Sequence, residues 1–234
     1  MLIAAAVCPH PPLLVPEVAA GAAHELDGLR AACDEAVRRL VRAGPDLLVV
    51  VGAGDRTVSH GPAAGGGLAA YGVAVEVGPA PRVLPLSLTI GRWLVERVDG
   101  GLPLRFQEVA AGTEPGVCAA LGGKLGAAAP RVALLAMGDG SARRLEKAPG
   151  FGADPRAVPF DEAVARALGT ADVAALAGID PFEVEELKVV GRPAWQVLAG
   201  AAEGRRFTAE LLADEAPYGV AYQVAAWTAA WTAA

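Results

Sequence analysis

Three short, uninterrupted apolar segments constrain the fold of this chain more than any other feature. Each ends at or near a glycine or proline, and each is much shorter than an average helix. A continuous apolar run of this length predicts a strand that is buried on both faces of a sheet. The segments are LIAAAVC (2–8), DLLVVVG (46–52) and RVALLAM (131–137).

An amphipathic helix is predicted between the first two of these strands. Apolar residues recur at three- and four-residue spacing from Ala22 to Arg42, and Gly44-Pro45 ends the pattern. Buried strands joined by a helix favour parallel pairing, because the helix carries the chain back across one face of the sheet. We therefore predict an α/β fold with a central, mostly parallel β-sheet flanked by helices on both faces. No change of composition divides residues 1–234, so a single domain is expected.

Weaker patterns predict the remaining elements. The tail AAWTAAWTAA places Trp227 and Trp231 on one helical face, which would pack on the body or on a subunit partner. Helices are predicted at 88–98, 115–128, 159–168, 171–177 and 193–202, and strands at 73–77, 82–86 and 218–227.

The composition excludes several classes of protein. Hydrophobic residues make up 53% of the chain and charged residues 20%, which is typical of globular domains. The mean hydropathy of +0.39 comes largely from alanine and valine. No run approaches the roughly 20 apolar residues of a membrane-spanning helix. Because the first residues also lack the basic segment of a signal peptide, we expect a cytoplasmic protein without a membrane partner.

The net charge and the cysteines narrow the range of partners. A net charge of −6 disfavours nucleic acid, since no basic field attracts phosphates. Cys8, Cys33 and Cys118 are odd in number, widely spaced and without a CxxC pair, so neither a disulfide framework nor a zinc site is predicted. An alanine-rich surface and the tryptophan-bearing tail are compatible with a homodimer.

Familiar catalytic and nucleotide-binding motifs are incomplete. VVVGAGDRT has Thr57 where a dinucleotide-binding loop has its third glycine, and no helical pattern follows. LGGKLG has Leu125 where a phosphate-binding loop has serine or threonine. The G-x-S-x-G turn of many hydrolases is absent from the sequence.

Two of the three histidines follow predicted strands. His10 lies in CPHPPLLVP, where neighbouring prolines restrict the backbone, and His60 lies in the segment after the second strand. Loops that follow parallel strands meet at one edge of the sheet, so the two imidazoles are expected to converge. Two imidazoles and a carboxylate form a facial triad that suits ferrous iron. Two unrelated surface histidines are the alternative.

Several segments together resemble the B-subunit-like class III extradiol ring-cleavage dioxygenases. The resemblance runs in order along essentially the whole chain, and Memo-like proteins share this fold without the same activity. Its most specific parts are the Pro-His-Pro-Pro start and the Gly-Asp-x-Ser segment. The segments are VCPHPPLLVPEV, DLLVVVGAGDRTVSHGP, MGDGSARRL, VGRPAWQVL and APYGVAYQVAAW.

The resemblance implies a metal site that is only partly present. It assigns Fe(II) binding to His10 and His60, with a third ligand, glutamate or cysteine, from the segment before Gly191. That segment has Lys188, Val189 and Val190, so Glu186, a few residues earlier (beside Glu185), is the nearest substitute.

The resemblance also implies catalytic groups in the Gly-Asp-x-Ser loop. Asp139 and Ser141 are retained, but Ala142 replaces the histidine that handles the catechol proton. Arg192 is a candidate to bind an anionic group of the substrate. For Asp139 the alternative is a turn or helix cap, and for Arg192 it is a salt bridge at the start of a helix.

Two functions remain open at this stage. One is a non-haem Fe(II)-dependent oxidoreductase of the extradiol type that acts on a small aromatic or phenolic molecule. The other is a catalytically inactive relative, a binding or accessory protein, since Ala142 lacks the acid/base group and no third metal ligand is evident.

Overall fold

The fold is built on one seven-stranded sheet. The computed structural model describes residues 1–98, 101–147 and 149–230. The strand order is β3-β6-β2-β7-β1-β9-β8, and a two-stranded sheet, β4-β5, stands apart. The strands are β1 (Leu2–Cys8), β2 (Leu47–Gly54), β3 (Val58–His60), β4 (Gly66–Gly67), β5 (Glu76–Val77), β6 (Leu104–Ala110), β7 (Val132–Met137), β8 (Phe207–Glu215) and β9 (Tyr222–Ala229).

Eight α-helices and three short 3-10 segments complete the described part of the chain. Every helix there is too short or too polar to span a bilayer. The helices are α1 (Pro16–Ala19), α2 (Asp27–Arg42), α3 (Leu86–Val98), α4 (Pro115–Gly126), α5 (Ala157–Thr170), α6 (Val173–Ala177), α7 (Pro181–Glu186) and α8 (Arg192–Ala202).

The predicted architecture is confirmed. The four central strands β6, β2, β7 and β1 pair in parallel, and the three outer pairs are antiparallel. Successive side chains of a strand point to opposite faces, so each central strand contributes to two cores. Helices α2 and α3 cover one face, and α4, α5, α6 and α8 cover the other. The molecule is a single α/β domain, since the sheet combines strands from both ends of the chain.

The outer elements differ most from the sequence-based predictions. Residues 82–86 form no strand, and of 73–77 only Glu76–Val77 pairs. Strands β6 and β8 were not predicted, because polar and charged residues interrupt their apolar pattern. The helical placement of Trp227 is wrong: it lies buried in β9, and its indole nitrogen donates to the carbonyl of Leu168 at 2.6 Å. Trp231 lies outside the described residues.

Helices α4 and α8 pack with their backbones in close contact. A Cβ atom at Gly122 would overlap the carbonyl oxygen of Val197, and one at Gly200 would overlap Ala119. Glycine is required at both positions because neither helix backbone can move without displacing the other. The next residue, Gly123, faces solvent, where a Cβ would be 4.0 Å from its nearest neighbour.

This contact predicts opposite effects for two adjacent substitutions. Gly122→Ala should lower the free energy of unfolding by about 1–3 kcal/mol, the usual cost of overpacking. Gly123→Ala should raise it by about 0.5–1 kcal/mol, because alanine loses less backbone entropy in a helix. Urea unfolding of the two variants measures both. Equal effects would contradict the close approach of the helices.

Candidate functional site

A largely apolar cleft opens at the carboxyl-terminal edge of the parallel strands. Its volume is about 780 Å³. Its walls come from the segments that follow β6 and β7 and from the stretch between α7 and the start of α8. Ligands of open α/β sheets bind at this edge, outside the carboxyl ends of the strands. The polar lining side chains are Asp139, Arg192, Glu114, Glu185 and Lys188.

Asp139 joins three elements beneath the cleft. Its Oδ1 accepts a hydrogen bond from the backbone N–H of His10 at 2.7 Å, and the Nδ1 atom of His10 lies 3.5 Å from the same oxygen. The carbonyl of Asp139 accepts from the N–H of Gly191 at 3.0 Å. Burial raises the pKa of Asp139, and the neighbouring His10 opposes the rise. Asp139 therefore lines the cleft and also ties the ends of β1 and β7 to α8.

Ser141 and Ala142 have different surroundings. The Ser141 hydroxyl donates to the carbonyl of Leu187 at 2.9 Å and accepts from the N–H of Arg143 at 3.1 Å. It is fully buried and does not line the cleft, so its hydrogen bonds hold the loop in place. Ala142 does line the cleft, and its methyl group cannot transfer a proton at that position.

Arg192 is a buried cation without an acidic partner. Its exposed fraction is 2%. The guanidinium donates to the carbonyls of Ala111 and Thr113 and to the side-chain oxygen of Gln196. Its Nε–H has no partner. Among the described residues no carboxylate forms an ion pair with it, so the salt bridge considered as an alternative is not formed.

His60 lies apart from His10. It belongs to β3, which turns back along β6 and pairs His60 with Phe106. Across the sheet, β6 pairs with β2, β2 with β7, and β7 with β1, the strand that His10 follows. Four strand spacings of about 4.8 Å put β3 about 19 Å from β1. The Nε2 atom of His60 is 3.0 Å from Oε2 of Glu108. The two imidazoles thus contact different carboxylates, Glu108 and Asp139, and their convergence in one pocket stays a prediction.

Glu186 also lies away from a common centre. It is exposed, and its Oε2 accepts from Nη1 of Arg156 at 2.6 Å. In residues 1–98, 101–147 and 149–230, no three histidine, cysteine, aspartate or glutamate side chains are grouped so as to hold a metal ion. His10, His60 and Glu186 as folded do not fit a ferrous facial triad, and iron binding stays a prediction.

Unpaired buried polar atoms surround the segment Gly138–Gly140. Four such side-chain atoms occur in the described part of the chain: Nδ1 of His10, Nε of Arg192, Nε1 of Trp195 and Oε1 of Gln223. A Cβ at Gly138 would lie 2.8 Å from the Trp195 nitrogen, and one at Gly140 would lie 3.1 Å from the Gln223 oxygen. Buried polar groups are rarely unpaired, so this grouping is typical of a binding or catalytic site.

Sequence reasoning missed the apolar wall of the cleft and the partners beneath it. Phe151 and Phe182 lie in segments bounded by glycine and proline, where no periodicity marks them. The one available signal was a bulky aromatic residue directly beside glycine or proline in each segment. Trp195 and Gln223 carried no signal, because their environment arises from elements far apart in sequence.

Asp161 supports the loop below the cleft. Its Oδ1 accepts from the N–H of Ser141 at 2.9 Å, and Nη1 of Arg144 donates to its Oδ2 at 3.2 Å. Burial raises the pKa of Asp161 to about 6 in spite of these hydrogen bonds. Ionising this carboxyl group therefore costs free energy in the folded state.

Comparisons with known proteins bear on the fold. No family model matches the chain, and no curated protein matches it. In structure it is similar to an uncharacterized protein from Escherichia coli K12, with 14% sequence identity and a TM-score of 0.58. The match covers 97% of this chain and 99% of that one. At this identity the likeness shows a shared fold alone.

The raised pKa of Asp161 predicts a specific pH dependence of stability. Its folded-state pKa of about 6 lies above the usual pKa of an aspartate side chain, about 3.9, so the folded state holds the proton more tightly than the unfolded state. The carboxyl should therefore lower the free energy of unfolding as the pH rises from 4 to 6. Asp161→Asn, which keeps the oxygen acceptor for Ser141, should remove this component. Urea unfolding at several pH values measures it.

Asp154→Asn is the matched control. Hydrogen bonds from Arg156 lower the pKa of the native Asp154 carboxyl to about 2. The stability that this ionised carboxyl contributes is therefore lost only as the pH falls below 4. A pH dependence between 4 and 6 that is unchanged in Asp161→Asn would contradict the assignment.

Proposed function

We propose that this chain is a divergent, non-redox relative of the B-subunit-like class III extradiol dioxygenases that binds a small aromatic acid in the cleft. The single observation that supports this most is the buried, unneutralised guanidinium of Arg192 in an otherwise largely apolar cavity. A buried charge is costly unless it is paired, so a site of this kind favours an anionic ligand. We further propose that the protein is cytoplasmic and binds no nucleic acid. A homodimer is compatible with this function.

The position of Arg192 suits recognition of a carboxylate. Its hydrogen bonds to Thr113 and Gln196, at 2.9 and 2.8 Å, hold the guanidinium in one orientation before a ligand arrives. The Nε–H is buried and donates to no group of the described residues. Arg192 is also the first residue of α8, whose amino-terminal dipole favours negative charge. Little side-chain entropy is then lost on binding, which favours affinity.

The apolar walls suit an aromatic body. Val184, Val189 and Ala142 are buried in the cleft and offer no hydrogen-bonding side chain. Apolar surface removed from water contributes roughly 25 cal/mol per Å². The affinity for an aromatic ring in this space therefore comes from the apolar area that the ring buries, while Arg192 fixes the orientation of the ligand.

The side chains present favour binding over ring cleavage. Ala142 lacks the acid/base group, whose assistance is typically worth roughly a hundred- to ten-thousand-fold in rate. Val189 and Val190 occupy the segment from which a third metal ligand is expected. Oxidative ring cleavage is the second candidate. It is favoured by the unpaired, buried Nδ1 of His10 beside Asp139.

Arg192→Met is predicted to weaken the binding of benzoate at least about tenfold, because a hydrogen bond to a charged group contributes roughly 1.5–3 kcal/mol. The uncharged analogue benzamide should bind both proteins equally. Calorimetric titration measures the two affinities. Arg166→Met, at an exposed arginine of α5 outside the cleft, is the control and should bind like the parent protein. Equal loss of both ligands would indicate a folding defect, which circular dichroism and thermal unfolding would reveal.

A second prediction separates binding from ring cleavage. With Fe(II), oxygen and catechol, the protein should form no more ring-cleavage product than a protein-free control, and Ala142→His should not restore activity. In anaerobic titrations, His10→Ala should take up as little Fe(II) as the parent. Stoichiometric iron binding that depends on His10, or an oxygen-dependent yellow product, would support the dioxygenase instead.

A further inference from the structure

The cleft changes in character from its floor to its mouth. Arg192, with 2% exposed, lies at the buried end, and Val189 is also buried. Val190, Phe151 and Phe182 are 44%, 53% and 78% exposed, and all three line the same cavity. The lining therefore changes from the buried cation of Arg192, past the buried Val189, to an exposed mouth at which Val190, Phe151 and Phe182 lie together with charged side chains.

The volume of the cleft exceeds what a single aromatic ring fills. A cavity of roughly 150 Å³ is enough to hold benzene, whereas this cleft measures about 780 Å³. Pockets of about 300–1,000 Å³ bury ligands of several rings. A one-ring acid held at Arg192 would leave Phe151 and Phe182 in contact with water.

The acidic side chains of the lining limit the charge of the ligand. Glu114 and Glu185 are exposed, and Asp139 is buried. Lys188, also exposed, is the other cationic lining residue. Carboxylates disfavour a second anionic group nearby, so the outer part of the ligand should be uncharged.

We infer that the ligand is an aromatic monocarboxylic acid of more than one ring, with its carboxylate at Arg192 and its outer ring between Phe151 and Phe182. This inference rests on the proposed function and adds the size and charge distribution of the ligand. Phe182 is then a specificity-determining residue, because it contacts only ligands long enough to reach the mouth. Aromatic pairs of this kind bind through buried area and through ring geometry.

A series of acids of increasing size tests the inference. The probes are benzoate, 2-naphthoate and pyrene-1-carboxylate, titrated by calorimetry or fluorescence against the intact protein. Affinity should rise by about tenfold with each step, because each step buries additional apolar carbon. Naphthalene-2,6-dicarboxylate should bind more weakly than 2-naphthoate.

Phe182→Ala provides the residue-specific measurement. It should weaken pyrene-1-carboxylate about three- to tenfold and leave benzoate unchanged. The side chain is largely exposed, so the substitution should not impair folding. Tyr71→Ala removes another exposed aromatic side chain, outside the cleft lining, and should change neither affinity.

The outcomes distinguish this inference from the proposed function. If benzoate binds through Arg192 but affinity does not rise with ring number, or if Phe182→Ala weakens all three acids equally, the inference about size is wrong and the proposed function stands. If no aromatic acid binds, both are wrong. Tighter binding of the dicarboxylate would overturn the assignment of an uncharged outer end.

Discussion

The parallel pairing of β2, β7 and β1 is the constraint on which the rest of the structure depends. It brings the carboxyl ends of these strands to one edge, so that His10 and Asp139, far apart in sequence, form a hydrogen bond. Gly138 then approaches Gly191 so closely that a Cβ would lie 2.6 Å from the Cα of Gly191. This approach holds the start of α8, and with it Arg192, against the sheet.

The site that results is unbalanced in charge. The guanidinium of Arg192 donates hydrogen bonds to carbonyl and amide oxygens, and these neutral acceptors do not neutralise its positive charge. Asp139 lines the same cleft, but its Oδ1 accepts a hydrogen bond from the backbone N–H of His10. Burial raises the pKa of this carboxyl group. A folded protein keeps such an arrangement only when the surrounding structure or a ligand compensates for it.

The resemblance to extradiol dioxygenases stays a prediction from the sequence, and the residues on which it rests act mainly on the backbone in this structure. Asp139 and Ser141 retain the loop, the former by contacts with β1 and α8 and the latter by its bond to the carbonyl of Leu187. The acid/base position is Ala142, and Glu186 pairs with Arg156 instead of facing the cleft. A scaffold of this kind can host sites of different chemistry in the same pocket.

The sequence by itself determined the central strands β1, β2 and β7 and most helices, because these follow from local periodicity. The parallel order expected for those strands also indicated the edge of the sheet at which the cleft lies, whereas polar residues concealed the fourth central strand, β6. The sequence also indicated His10, Asp139 and Arg192 as candidate site residues, and two of these, Asp139 and Arg192, line the cleft. Only the tertiary structure decided that His60 lies on β3 beside β6, that Phe151 and Phe182 line the cleft, and that no carboxylate of the described residues pairs with Arg192. Those features depend on which distant segments meet, and contacts between distant segments leave no periodic pattern in the chain.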